Sequence, residues 1–271
     1  MRRSVPVLIA ILAALLPRVA EAQTCHYYDS GGVNLRWDHC WGDGGVASRS
    51  FACNTNVGSE VLVASFVLTD PLSTVVGMQI YVDLASSSGT WPSWWLIGTS
   101  SACRIGALSA NVSLDPGDLV CQNLWPATAA GAADLLAGYG GPTTRQMKAI
   151  FAVPNGEELN LPAGTEILAM RIRISHAKTL STCVGCDVPM CLALSEVALY
   201  RTNEPNCDHV LKDGAHGESS RLVTWNGAAV ASSRTHPIPA EFVYWYTTDM
   251  NCVAATPARR AAWGQIKSLY R

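Results

Sequence analysis

The chain has 271 residues, 49% hydrophobic and 15% charged, with a formal net charge of −2. So apolar a composition excludes intrinsic disorder and supplies material for a sizeable core. The nearly balanced charge gives no reason to expect a nucleic-acid partner, which calls for a basic patch.

Residues 1–22 read as an export signal. Arg2 and Arg3 give a positive start, an apolar run follows from Val5 to Leu16, and Ala20 and Ala22 place small residues at a cleavage site. The run is shorter than the roughly 20 residues that span a bilayer. No later segment is long and apolar enough to span either, so no transmembrane segment is expected in the mature chain.

From residue 51 to residue 200 short strand-like runs dominate. Residues 60–68 are β-rich and end at Asp70-Pro71. In residues 75–84, Met78, Ile80, Val82 and Leu84 fall on one face. Residues 108–114 alternate likewise, with Leu108, Ala110, Val112 and Leu114 on one side, and stop at the Asp115–Asp118 turn. Residues 148–153 form another run. Within 167–174, Met170, Ile172 and Ile174 lie opposite Arg171 and Arg173. Residues 190–200 are the last strong run. Period-2 alternation broken by Pro, Gly and Asp turns predicts an all-β, antiparallel sandwich. Residues 128–139, rich in Ala and Leu, predict one short helix.

Beyond Tyr200 the chain turns polar, then offers strand-like residues 221–225 and 241–247. The predicted organisation is a signal at 1–22, a β-sandwich at 23–202, a small disulfide-closed hairpin appendage at 203–253, and a linker with a short helical tail at 254–271. In that tail Trp263, Ile266, Leu269 and Tyr270 share a face at helical spacing, and Arg259, Arg260, Lys267 and Arg271 supply positive charge.

The ten cysteines are Cys25, Cys40, Cys53, Cys103, Cys121, Cys183, Cys186, Cys191, Cys207 and Cys252. An even number behind an export signal reads as a disulfide framework. Proximity in sequence suggests Cys40–Cys53, Cys103–Cys121 and Cys207–Cys252, leaving Cys25, Cys183, Cys186 and Cys191 unassigned. The competing reading is a metal site of Cys183, Cys186 and Cys191 completed by His176 or His209. A second paired knuckle is missing and the export signal favours oxidation, so no metal and no cofactor is expected.

The order of pieces resembles the cohesin family and its carbohydrate-binding relatives, exported bacterial jelly-roll sandwiches. Residues 57–66 with 75–83, residues 161–174 with their Ala163-Gly164-Thr165 turn, and residues 194–199 carry the resemblance. It implies a jelly-roll-like β-sandwich and a binding role, and no catalytic residue. The cysteine richness departs from cohesins. The ending Trp263-Gly264 with Lys267, Leu269, Tyr270 and Arg271 is similar to short C-terminal endings of other exported bacterial proteins. That implies a sorting or attachment signal, the alternative being an amphipathic helix packed on the domain.

Motifs of catalysis are missing: no G-x-S-x-G elbow, H-E-x-x-H, P-loop or EF-hand loop occurs. His39 with Asp38 and Asp43, the pair Asp115 and Asp118, and Glu157 with Glu158 read as turn residues. Trp91, Trp94 and Trp95, with Trp125, Gln122 and Asn123, are the candidate ligand-binding residues, since aromatic faces stack on sugar rings while amides pair with hydroxyls. The alternative is that these tryptophans fill the core. The expectation is an exported, non-catalytic module at the cell surface or outside the cell, binding a polysaccharide or a surface protein. The alternatives are a structural envelope or matrix component held by its tail, and a divergent secreted glycoside hydrolase, which would need two facing carboxylates.

Overall fold

In a computed structural model of the chain, the described residues are 25–99, 103–136, 141–204, 207–239 and 244–255. The predicted signal at 1–22 and all of the tail beyond Ala255 lie outside them. The described residues are all-β, with two short 3-10 turns at Ser93–Trp95 and Glu218–Arg221. No helix among them is long and apolar enough to cross a membrane.

The strands are β1 (Cys25–Tyr28), β2 (Gly32–Trp37), β3 (Ser48–Arg49), β4 (Ser59–Val67), β5 (Leu72–Ser86), β6 (Leu108–Asn111), β7 (Ala130–Leu136) and β8 (Thr144–Ala152), then β9 (Leu159–Leu161), β10 (Glu166–Ser175), β11 (Met190–Arg201), β12 (Cys207–Leu211), β13 (Leu222–Trp225), β14 (Ala228–Pro239) and β15 (Tyr244–Ala254). One sheet has nine strands along the path β1-β12-β11-β5-β8-β7, with β13, β3 and β9 attached. A second has the order β2-β4-β10-β6, and β14 pairs with β15 as a hairpin.

The two large sheets share one core. Leu35, Leu62, Ala64, Phe66, Ile172 and Ile174 meet Met78, Ile80, Val82, Leu84 and Leu192 in a single buried cluster. The faces read from alternation hold: Met78, Ile80, Val82 and Leu84 are buried, as are Met170, Ile172 and Ile174, while Arg171 and Arg173 point outward. Side chains of a strand alternate between faces, so four apolar residues at every second position commit that face to the interior.

Three expectations are corrected. Residues 130–136 form a strand, not a helix, and pair along their whole length with β8. Alanine's helical preference is a few tenths of a kcal/mol per residue and yields to a continuous ladder. Gly131 suits this pairing, since a Cβ there would lie 2.0 Å from the Ile150 carbonyl oxygen. Second, residues 203–253 are not a separate appendage. Strand β12 pairs with Val197–Tyr200 of β11, and β13 pairs with Met190–Ala193 of the same strand. Only β14 and β15 stand apart as a hairpin, tied to β11 by the Cys191–Cys252 disulfide.

Third, the proximity pairing of cysteines fails. The disulfides are Cys40–Cys121, Cys53–Cys186, Cys103–Cys183 and Cys191–Cys252, with sequence separations of 81, 133, 80 and 61. Cys207 is disulfide-bonded as well, and the parallel β1–β12 register sets Cys25 opposite it. A disulfide needs Cα atoms roughly 4.4–6.8 Å apart, and it is the sheets that bring distant segments to that range. The C-x-x-C thus serves two different loops: Cys183 holds residue 103 and Cys186 holds residue 53. This removes the thiolates from the metal reading. His176 instead contacts the Val57 carbonyl oxygen at 2.8 Å and Glu60 at 3.1 Å, and His209 lies between Asp29 and Glu204.

Candidate ligand-binding groove

The tryptophan platform expected from sequence is not at the surface. Trp94 and Trp95 are fully buried, together with Trp37 and Trp225. Their rings pack tilted or edge-to-face, Trp94 against Trp95 at 5.2 Å and Trp95 against Trp225 at 5.3 Å. The Trp94 indole donates to Thr179 Oγ1 at 3.2 Å and the Trp225 indole to the Cys186 carbonyl at 3.0 Å. The Arg104 guanidinium, itself buried, lies 3.6 Å from the Trp94 ring centre and donates to the carbonyls of Trp94, Ser175 and Ala177. Burial lowers its pKa to about 10. Trp91 is half-buried. The physical reason is the pair of disulfides Cys53–Cys186 and Cys103–Cys183, which draw the loops around 53, 103 and 183 over this cluster.

Of the other predicted residues, Asn123 and Trp125 line a groove and Gln122 does not. Asp43 accepts hydrogen bonds from the backbone N–H groups of Leu119, Val120 and Cys121 at 2.7–2.9 Å, fixing the incoming chain. The next residues run beside the first half of β10: Gln122 N–H donates to the Glu166 carbonyl at 2.8 Å, and Leu168 N–H donates to the Gln122 carbonyl at 2.9 Å. The second half of β10 pairs with β6 instead. A bulge between Leu168 and Met170 interrupts the β4–β10 ladder, and the Trp125 indole N–H donates to the carbonyls of Leu168 and Ala169, both at 3.1 Å. Trp125 is thereby pinned and mostly buried, 7% exposed, with its ring edge-on to Phe151 at 6.2 Å, so it too is no open platform.

A groove of about 490 Å³ opens between the end of β6 and this segment, with Phe151 of β8 as part of its wall. Asn111, Ser113 and Asn123 supply its polar groups; Trp125, Pro126 and Phe151 are among its apolar ones, and no lining residue is charged. Asn123 Oδ1 accepts the Trp125 N–H at 3.0 Å and Asn111 Oδ1 accepts the Ser113 N–H at 3.1 Å. Both amide oxygens are engaged locally, which orients each Asn and leaves its NH₂ as a donor. Gln122 is exposed but does not line the groove. Asn111, Ser113 and Phe151 carried no signal in the sequence. Asn111 ends β6, Ser113 follows it in the connecting segment and Phe151 is in β8, and they meet Trp125 only when the sheets form.

The carboxylates lie elsewhere and behave as structural groups. Around a cavity of about 290 Å³ lined by Asp38, His39, Asp115 and Arg171, His39 Nδ1 is 2.7 Å from Asp118. The Gly117 N–H, then Arg171, holds Asp115 below the usual carboxylate range. Burial pushes Asp43 up, but its three backbone donors outweigh this and hold it low. A glycosidase acid needs the opposite shift. Asp83 has it, its pKa pushed up by burial to about 6, but it sits beneath the hairpin, bonded to Gln146, Ser195, Thr247 and Thr248. Among the described residues one trio brings metal-type donors together, Cys40, Cys121 and Glu166. Its sulfurs form a disulfide, and Glu166 already accepts from Trp41 N–H, Gly42 N–H, Asn34 and Ser65. No family model, curated protein or solved structure matches the chain.

Proposed function

We propose that this chain is an exported, non-catalytic module that binds a glycan in the Asn111–Trp125 groove. The observation that carries the reading is the composition of that groove: amide and hydroxyl groups from Asn111, Ser113 and Asn123 beside half-buried Pro126 and the exposed edges of the largely buried Trp125 and Phe151, with no charged group. A sugar presents the same mixture, hydroxyl edges and C–H faces, and sites of this kind fix orientation with a few placed polar groups. The absence of a carboxylate from the lining favours binding over glycoside hydrolysis. Disulfides between strands and loops favour an oxidising compartment, as the export signal does. The resemblance to cohesin-like sandwiches agrees with a jelly-roll arrangement and with presentation outside the cell.

The test is retention of the oxidised, signal-free protein on insoluble polysaccharides, with Ala127→Trp as a groove-filling variant. Ala127 is exposed and lines the groove, so an indole there occupies the space without disturbing the core. Retention that Ala127→Trp loses supports the reading. Equal retention of both proteins, or of neither, overturns it.

A further inference from the structure

The outer face of the nine-stranded sheet has an unusual composition beside its β7 edge. An exposed antiparallel face carries polar side chains as a rule. Here the outward positions of β7 and β8 include Ala132, Leu136 and Ile150, and Ile150 is 42% exposed. Together with Asp134 and Lys148, the two charged residues of the lining, they border a shallow, mostly apolar groove of about 480 Å³. The small side chains of β7 keep its rim low.

Lys148 is the cation of this groove and Asp134 its anion. Asp134 stands directly opposite it in the β7–β8 register. Yet the Asp134 carboxylate accepts from the Thr99 N–H at 2.7 Å, the Thr99 hydroxyl, and the Leu135 N–H at 2.8 Å, so its oxygens are engaged by Thr99 and the β7 backbone. Among the described residues no carboxylate reaches ion-pair distance of the Lys148 ammonium, which lies 5.6 Å from the Tyr81 ring centre. Burial holds Lys148 below the ordinary lysine value, and the more distant Glu196 offsets this only in part. A desolvated ammonium beside an apolar trough is complementary to a carboxylate on an apolar chain.

We propose that this groove binds a small amphiphilic carboxylate, its apolar chain lying over Ala132, Leu136 and Ile150 and its carboxylate on Lys148. The ligand is a medium-chain acid rather than a peptide, because the groove offers one cation beside an apolar floor. This site is separate from the Asn111–Trp125 groove and does not depend on the glycan reading.

The test uses decanoate, decanol and decyltrimethylammonium as probes, titrated calorimetrically below their micellar concentrations against the oxidised protein. Decanoate is expected to bind at least about tenfold more tightly than decanol, and decyltrimethylammonium not measurably. Lys148→Met keeps the length of the side chain and should erase the preference for decanoate over decanol. Ile150→Glu should abolish both. Ala127→Trp should change neither. Absence of decanoate binding, equal affinity for all three head groups, or a preference that survives Lys148→Met overturns the proposal. So does loss of decanoate binding in Ala127→Trp, which would put the ligand in the other groove.

Discussion

Replacing Trp94 by alanine separates a core tryptophan from a sugar platform. The ring is fully buried and touches Trp95 at 5.2 Å, Trp225 at 5.6 Å and Phe51 at 5.8 Å. Truncating a buried Trp to Ala costs about 3–5 kcal/mol. The Arg104 guanidinium, 3.6 Å above the ring, also loses its aromatic partner, which adds about 1–2 kcal/mol for a desolvated cation. A total near 5 kcal/mol lowers the melting temperature of a domain this size by about 10–20 °C. Thermal unfolding of the oxidised protein, followed by near-ultraviolet circular dichroism, reads this directly. An exposed platform residue would cost about 0.5 kcal/mol or less. A shift below about 3 °C with an unchanged spectrum would refute the core assignment and return Trp94 to the surface.

Further outcomes follow from other groups. Asp83 has a folded pKa of about 6 against 3.8 in the unfolded chain, so the native state binds the extra proton between those values. Stability should therefore be higher at pH 4 than at pH 7 by up to about 3 kcal/mol on this group's account, falling as pH rises from about 4 to about 6. Asp83→Asn should flatten that slope in urea titrations across the range; an unchanged slope would exclude Asp83 as its source. Asp43 has the opposite sign, since its folded pKa is lowered. Asp43→Asn should remove a contribution that wild type loses as pH falls below about 4, and it should raise amide exchange at Leu119, Val120 and Cys121. Peptide mapping without reduction should recover Cys40–Cys121, Cys53–Cys186, Cys103–Cys183 and Cys191–Cys252. The loop that Cys53–Cys186 closes is the longest of these, and removing both cysteines should cost up to about 5 kcal/mol by chain entropy.

What sequence made visible was the face of each strand. The alternation at Met78–Leu84 and at Met170–Ile174 identifies core positions because the period of a strand is fixed by backbone geometry. What it hid depends on partners far along the chain. The alanines of β7 carry helical propensity, and only the β8 ladder overrides it. The stretch from Trp91 to Trp95 has no period at all, and its burial follows from loops closed by residues 53, 103, 183 and 186. Cysteine pairing failed for the same reason. Asn123 and Trp125 were recognisable as candidates by type, but their groove needs Asn111 at the end of β6, Ser113 just beyond it and Phe151 from β8.

The central claim is that a glycan lies in that groove. The most direct measurement is an NMR titration of the isotopically labelled, oxidised protein with a soluble oligosaccharide of whichever polysaccharide retains it. The account predicts that the side-chain amide resonances of Asn111 and Asn123 and the indole resonance of Trp125 shift together and saturate with one affinity. Shifts confined to the Asp38–His39–Arg171 cavity, or no saturable shifts at all, would contradict it.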